Sequence, residues 1–168
     1  LCSAGCAALA DDHGVIDDRG EPTVLSGFPQ VKLREDSLRT FRRHGDTAGC
    51  SKVSEEKLGW DIHENFAPCS VRLRSIYVLA EAPEARIVEL SEEEAAAELV
   101  RNSFLSSLLI KPVCAAAHLQ RCTRLAARVS VRRLERPQSH ADLPSLVRLV
   151  EEEAREMECC EQAVASTA

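Results

Sequence analysis

The sequence is poor in aromatic residues, which make up only 4% of its 168 positions. A chain of this length can bury one domain core, and that core must be built from Leu, Val, Ile and Ala.

The chain also lacks an excess of basic residues. Its formal net charge is −6, which argues against a general nucleic-acid binder because phosphate neutralisation needs clustered cations. No apolar run approaches the roughly 20 residues of a membrane helix, and no secretory signal is visible. We therefore expect a cytoplasmic protein with no membrane or nucleic-acid partner.

The eight cysteines form no C-x-x-C motif, so neither a zinc ribbon nor a thioredoxin-like site is expected. We interpret them as reduced thiols of a cytosolic protein. Cys114, His118 and Cys122 recur every fourth residue, which places them on one face of a predicted helix and leaves that face open to a metal. The same face continues with Leu125 and Val129, and this favours a core stripe containing one histidine.

The segment Gly5–Asp12, GCAALADD, is the first candidate for chemistry. It predicts a short apolar strand from Cys6 to Ala10 that ends in the two carboxylates Asp11 and Asp12. Binding sites in open α/β sheets lie beyond the carboxyl ends of such strands. Two carboxylates there suit a Mg²⁺ ion that carries phosphate oxygens, and one of them could deprotonate an attacking hydroxyl. The alternative is a solvated turn.

Two further side chains are candidates for contacts to a phosphate. His13 follows the carboxylates directly and could position a phosphate or a substrate hydroxyl; the alternative is a polar surface residue. Lys52 ends the stretch GDTAGCSK, which does not satisfy the phosphate-loop pattern G-x-x-x-x-G-K-[ST]. Lys52 could still meet a phosphate as a point charge, and the alternative is a solvated loop lysine.

The first half of the chain has the pattern of short strands. The predicted strands are Val15–Asp17, Thr23–Leu25, Pro29–Leu33 and Val71–Ala80, with antiparallel pairing among the first ones and Arg86–Leu90 as the hairpin partner of the last. Between them we predict a short helix at Ser37–Arg43. Gly45–Ala67 is expected to be an irregular excursion with a helical turn at Ser54–Leu58.

The second half has the pattern of helices. Ser91 and Glu94 form a capping box that opens a helix to about Leu109, and Pro112 begins a second helix to about Arg128. After a strand at Val129–Leu134, Asp142 is expected to cap a last helix, Leu143–Glu158, followed by a disordered tail over residues 161–168. The change from period 2 to period 3.6 at Ser91 predicts a mixed α/β fold.

Several blocks of the sequence resemble one known family. Gly5-x-x-x-Leu9-Ala10-Asp11-Asp12, the strand after it and GFPQVKLRED are similar to the HPr kinase/phosphorylase-like P-loop proteins, whose catalytic domain is akin to ATP-dependent phosphoenolpyruvate carboxykinase. The likeness continues through VRLRSIYVLAEAPEARIVELS, AAAHLQRCTRLAARVSVRRLERP and DLPSLVRLVEEE. It covers nearly the whole chain, and the order of the blocks is more specific than any one block.

The resemblance implies an ATP-dependent serine kinase. It implies a mixed sheet with C-terminal helices, forming a single catalytic domain over residues 1–160, that transfers a phosphoryl group from ATP to a Ser of a protein or peptide. Asp11 and Asp12 would hold Mg²⁺, and one would accept the substrate proton. His13 would contact ATP, and so would Lys52, which lies in a loop where members of the family often carry a lysine. In the family a Gly-rich phosphate loop and its helix precede Asp-Asp. Leu1–Ala4 would be the last turn of that helix, so we expect an N-terminally truncated domain.

A second hypothesis has no catalysis. The chain would then be a truncated relative that acts as a binding or regulatory module, with the basic residues between Arg121 and Arg136 as its contact surface. The competing interpretation of these arginines is a solvated face that pairs with the acidic helices.

Overall fold

The structure is a computed structural model, and it describes residues 5–34, 37, 50–54, 57–104 and 112–165. Within these residues the fold is mixed α/β, as predicted, with three three-stranded sheets and three α-helices. Contacts divide the chain into two compact units. The first comprises Leu1–Ile76 and Ser91–Ser130, and the second comprises Tyr77–Leu90 and Val131–Ala168.

Apart from one 3-10 turn, the elements described before residue 90 are strands, and most of those after it are helices. The strands are β1 (Val15–Asp17), β2 (Thr23–Leu25), β3 (Gln30–Arg34), β4 (Cys50–Lys52), β5 (Lys57–Asp61), β6 (Val71–Arg72), β7 (Ser75–Glu81), β8 (Arg86–Glu89) and β9 (Ser130–Arg136). The helices are α1 (Glu92–Arg101), α2 (Pro112–Ala126) and α3 (Leu143–Ala165), with single 3-10 turns at His63–Asn65 and His140–Asp142. Among the described residues, no helix combines the length and the apolar character needed to cross a bilayer.

The expected strand at Cys6–Ala10 is wrong as a regular strand. Ala8 alone forms an isolated parallel bridge with Phe66. The Ala8 N–H donates to the Asn65 carbonyl at 2.7 Å, and the Ala8 carbonyl accepts from the Ala67 N–H at 2.8 Å. The ladder stops there because Asn65 ends a 3-10 turn, not a strand. The segment is nevertheless held on its other side, since Gly27 N–H donates to the Leu9 carbonyl at 2.7 Å.

The predictions for the first three strands are confirmed, with β3 displaced by one residue. β1 pairs antiparallel with β2. The prediction of an irregular Gly45–Ala67 with a helical turn at its centre is wrong for the described residues, because β4 and β5 lie there and join β3 in the order β3-β5-β4. The alternation of KLGWD explains β5, since Leu58 and Trp60 share one face and the other three residues share the opposite face. The predicted helix Ser37–Arg43 lies outside the described residues except for Ser37.

The predicted hairpin of Val71–Ala80 with Arg86–Leu90 is also wrong. The first segment breaks into β6, which pairs with β2, and β7. In the last sheet β9 lies between β7 and β8, in the order β7-β9-β8. Its antiparallel register with β8 places Arg86 opposite Glu135 and Glu89 opposite Arg132, and opposite charges across a strand pair stabilise that register.

The helices follow the capping and propensity signals. The capping box is confirmed, because the Ser91 hydroxyl accepts from Glu94 N–H at 3.3 Å and the Glu94 carboxylate accepts from Ser91 N–H at 2.9 Å. This helix ends at Arg101, before the expected Leu109. The last helix instead runs past the expected end to Ala165, so residues 161–165 are helical where we expected a disordered tail. The strong helix formers Glu161, Gln162, Ala163 and Ala165 explain the extension.

Candidate functional site

The carboxylate of Asp11 anchors the chain to β3. Its Oδ2 accepts a hydrogen bond from the backbone N–H of Lys32 at 2.7 Å, and its backbone carbonyl accepts from the N–H of His13. Asp11 is half-buried. One oxygen of this carboxylate therefore has a structural contact, and this contact brings the loop after Ala10 beside the lysine side chains of the sheet.

Asp12 lies at the centre of a small charge cluster. Its φ of 37° is in the left-handed region, which few residues other than Gly, Asn and Asp adopt. Its Oδ2 is 3.1 Å from Lys32 Nζ, and its Oδ1 is 3.9 Å from Lys57 Nζ. The hydrogen bond from Lys32, helped by the charge of Lys57, lowers the pKa of Asp12. Asp12 is therefore ionised at neutral pH.

The pairing register of β3 and β5 explains why the two lysines converge. Lys32 lies opposite Gly59, and Gly59 and Lys57 are two residues apart on β5. Because side chains alternate along a strand, Lys32, Gly59 and Lys57 share one side of the sheet, which we call the lysine face. A Cβ on Gly59 would lie 2.6 Å from the Gln30 side-chain amide. The glycine therefore leaves space for the Gln30 side chain.

Lys52, the lysine predicted to contact ATP, is not brought to this cluster. It lies opposite Leu58 in the register of β4 and β5, so its side chain belongs to the side of the sheet opposite the lysine face. Lys52 is exposed there. Lys32 and Lys57 were not predicted as site residues, although the alternation in QVKLR and KLGWD places one lysine of each strand on its polar side.

His13 is next to the carboxylates in sequence, and its ring contacts an aromatic residue. The His13 and Phe104 rings meet edge to face, with centroids 4.0 Å apart and an interplanar angle of 70°. Both residues are exposed. His13 is accessible to a solute beside Asp12, and its charge when protonated also lowers the pKa of Asp12.

The donor set fits a hard cation that arrives together with a phosphate. Mg²⁺ is usually bound in proteins through one or two carboxylates, with waters and substrate phosphates completing its coordination, and Asp11 and Asp12 offer two carboxylates. Among the described residues, no group of three or more His, Cys, Asp or Glu side chains could hold a metal by itself. The ammonium groups of Lys32 and Lys57 suit the phosphate rather than the cation.

The cysteine and histidine face of α2 has a structural arrangement. His118 Nε2 is 2.8 Å from Ser103 Oγ and 3.5 Å from Cys122 Sγ. Cys122 is buried, which raises the pKa of its thiol, whereas Cys114 is exposed. Cys122, Leu125 and Val129 are buried, so the prediction of a core stripe is confirmed for these three residues and is wrong for Cys114.

Two arginines of α2, and Arg128 just after it, hold the turn after β1. Arg121 Nη2 donates to Asp18 Oδ1 at 2.6 Å, and Arg124 Nη2 is 3.8 Å from Asp18 Oδ2. Arg128 donates to the backbone carbonyl of Asp18 at 3.1 Å. The Asp18 side chain is only 11% exposed, and the hydrogen bond from Arg121 lowers its pKa. We call this set the arginine clasp.

In the second unit Arg132 instead pairs with Glu89 and with Glu153 of the acidic α3.

No family model, no curated protein and no solved structure matches the chain.

Proposed function

We propose that the chain is the C-terminal part of an ATP-dependent serine kinase of the HPr-kinase-like type, which phosphorylates a Ser of a protein or peptide in the cytoplasm. The observation that supports this most is the ionised Asp12 carboxylate between Lys32 and Lys57, next to Asp11. The order of the sequence blocks that resemble the family adds to it.

The chemistry of phosphoryl transfer suits such a cluster, because it depends on positioning and on neutralising charge. The Ser oxygen forms a bond to the γ-phosphorus, the bond to the bridging oxygen of ADP breaks, and the Ser proton goes to a carboxylate of Asp11 or Asp12. Lys32 and Lys57 hold phosphate oxygens. When bound, Mg²⁺ supplies further positive charge beside those oxygens. In this proposal the phosphate loop comes from residues that precede Gly5, as in the resembled family.

His13 and Lys52, the other two candidate residues, are not equally well supported. His13 is accessible beside Asp12 and keeps its proposed role of positioning a phosphate or the substrate hydroxyl. Lys52 has less support than Lys32 and Lys57, because the register of β4 places it away from the lysine face.

The test is phosphoserine formation by a protein that includes the residues encoded upstream of Leu1, with ATP, Mg²⁺ and a Ser-containing peptide. Asp11→Asn and Asp12→Asn keep the size of the side chain and remove its charge. We expect each to lower kcat on the order of 10²-fold or more. Asp17→Asn is the matched control, because Asp17 is paired with Arg19, and it should keep its activity. Full activity in both Asn variants of the first pair would contradict the proposal.

The alternative, a non-catalytic binding module that uses the basic residues between Arg121 and Arg136, has less support. Arg121, Arg124 and Arg128 contact the Asp18 turn, and Arg132 contacts two glutamates, so these cations already have partners in the chain. The DNA upstream of Leu1 discriminates the two hypotheses. An in-frame strand followed by G-x-x-x-x-G-K-[ST] favours the kinase, and a stop codon there favours the binding module.

A further inference from the structure

We propose that Lys32 and Lys57 form a phosphate-binding pair that the Asp12 carboxylate occupies in the ligand-free protein, so that a divalent cation on Asp12 and a phosphate on the two lysines bind cooperatively. The inference rests on the proposed function only where it takes Asp12 as a cation ligand. The phosphate-binding pair itself follows from the geometry of the lysine face.

The two ammonium groups approach different oxygens of one carboxylate. Lys32 Nζ is on Oδ2 at 3.1 Å and Lys57 Nζ is on Oδ1 at 3.9 Å. A pair of lysines holds a phosphate in the same way, with each ammonium group on a different oxygen of the anion. The three side chains are 36%, 45% and 35% exposed, so a solute can reach the cluster and replace the carboxylate without unfolding any element.

The sheet fixes the spacing of the two lysines. They project from neighbouring antiparallel strands, β3 and β5, whose backbones are joined residue by residue from Gln30–Asp61 to Arg34–Lys57. Gly59 contributes no side chain between them, and Gln30 covers it. The two lysine side chains can change conformation, but the paired strands fix their Cα atoms. The two ammonium groups therefore stay close together when the Asp12 carboxylate no longer pairs with them.

Exchange of partners couples the two ligands. When a cation takes the Asp12 carboxylate, Lys32 and Lys57 lose the charge that neutralises them, and a phosphate restores it. When a phosphate takes the lysines, Asp12 is released to a cation. Because coupling between two binding equilibria is reciprocal, each ligand must raise the affinity for the other by the same factor.

The test measures binding of inorganic phosphate to the 168-residue chain by NMR, from the amide shifts of Lys32 and Lys57, without ATP and without turnover. Inorganic phosphate is the probe because it associates only weakly with Mg²⁺ in solution. In the absence of Mg²⁺, Asp12→Asn should bind phosphate about tenfold more tightly than the wild-type chain, because the internal competitor is gone. Mg²⁺ should tighten phosphate binding about tenfold in the wild-type chain and leave Asp12→Asn unchanged.

The lysines provide matched controls. Lys32→Met and Lys57→Met should each lose the binding, whereas Lys52→Met, a lysine on the opposite side of the same sheet, should bind as the wild-type chain does. Asp12→Gly is the second charge-removing variant, since Gly accepts the left-handed φ without strain. Unchanged affinity in both Asp12 variants, or an equal loss in Lys52→Met, would overturn the inference.

Binding of two further probes distinguishes the possible sources of the phosphate. Tighter binding of pyrophosphate than of O-phosphoserine assigns the pair to the phosphates of a nucleotide, and the reverse order assigns it to a phosphorylated Ser; either order supports a phosphate-binding pair. A protein without kinase activity that still shows the coupling would remove the proposed function and keep the pair. An active kinase that lacks the coupling would overturn the inference and keep the proposed function.

Discussion

Two Asp-Asp pairs with nearly the same sequence lie six residues apart and have very different surroundings. The first is Asp11-Asp12-His13-Gly14, and the second is Asp17-Asp18-Arg19-Gly20. Asp12 is held by two exposed lysine side chains at 3.1 and 3.9 Å. Asp18 is largely enclosed and is held by the arginine clasp, in which Arg121 donates at 2.6 Å.

The difference between the pairs comes from the side chains that hold them. A guanidinium presents a planar fork of donors that fixes a carboxylate, whereas an ammonium is a mobile point charge. Asp17 accepts hydrogen bonds from the side chain and the backbone N–H of Arg19, which lower its pKa to about 2. The second pair is therefore fixed in one arrangement, while the first pair can exchange its partners. Asp17-Asp18 is thus a structural joint, whereas we propose that the same dipeptide at Asp11-Asp12 is a ligand site.

The largest expected effect is on stability, from Asp18→Asn. This change removes the charge that neutralises Arg121 and Arg124 at a side chain that is 11% exposed. We expect it to lower the free energy of unfolding by about 2 kcal/mol, the usual range for a hydrogen bond to a charged group. Urea unfolding followed by circular dichroism measures the change. Asp17→Asn is the control and should shift the midpoint less, because its partner Arg19 is 87% exposed. Equal shifts in the two variants would contradict the comparison.

The second effect is a loss of stability in acid. The folded-state pKa of Asp17 is about 2, below its ordinary value of 3.8, and that of Asp18 is also lowered. Their contribution to the free energy of unfolding is therefore complete above about pH 4 and is lost as the pH falls towards 2. The double variant Asp17→Asn/Asp18→Asn should show a flatter stability profile across this window. Urea midpoints at several pH values measure it, and an unchanged slope in the double variant would show that other groups cause the acid loss.

A smaller effect is expected from Gly59→Ala, which disturbs the lysine face and leaves the arginine clasp intact. The new Cβ would meet the Gln30 amide at 2.6 Å and Val53 Cγ2 at 2.8 Å, so both side chains must move. We expect a loss of about 1 kcal/mol, the low end for overpacking, because both contacts are side-chain ends. Thermal melts measure it. Gly20→Ala, where a Cβ meets nothing within 4 Å, is the control, and an equal loss there would contradict this account.

The smallest effect on stability is expected at Asp12. Removing this exposed carboxylate should change the melting temperature little, and the order of the variants should follow their tolerance of a φ of 37°. We expect Asp12→Gly and Asp12→Asn to melt above Asp12→Ala, because Ala is strained in the left-handed region. Differential scanning calorimetry of the three variants tests this order. A higher melting temperature for Asp12→Ala than for Asp12→Gly would show that φ is not the deciding factor.

Local signals in the sequence predicted much of the fold, and nonlocal pairing explains what they could not predict. The first two strands and the Ser91 capping box depend on neighbouring residues, and the predictions for them are confirmed. The partner of β7 is β9, more than 40 residues away in sequence, and no local pattern marks that choice. The same holds for the site. Asp11 and Asp12 could be selected from the sequence, but the convergence of Lys32 and Lys57 depends on the register of β3 and β5.

The most direct experiment compares Asp12→Asn with Asp18→Asn in the protein used to test the proposed function. Phosphoserine formation and urea unfolding are measured on both variants, at a temperature at which each is fully folded. We expect opposite profiles. Asp12→Asn should keep its stability and lose on the order of 10²-fold in kcat, whereas Asp18→Asn should lose stability and keep kcat within a few-fold of the wild-type value. Equal losses of activity in the two variants, or a stable and fully active Asp12→Asn, would contradict the claim that only the first Asp-Asp pair performs chemistry.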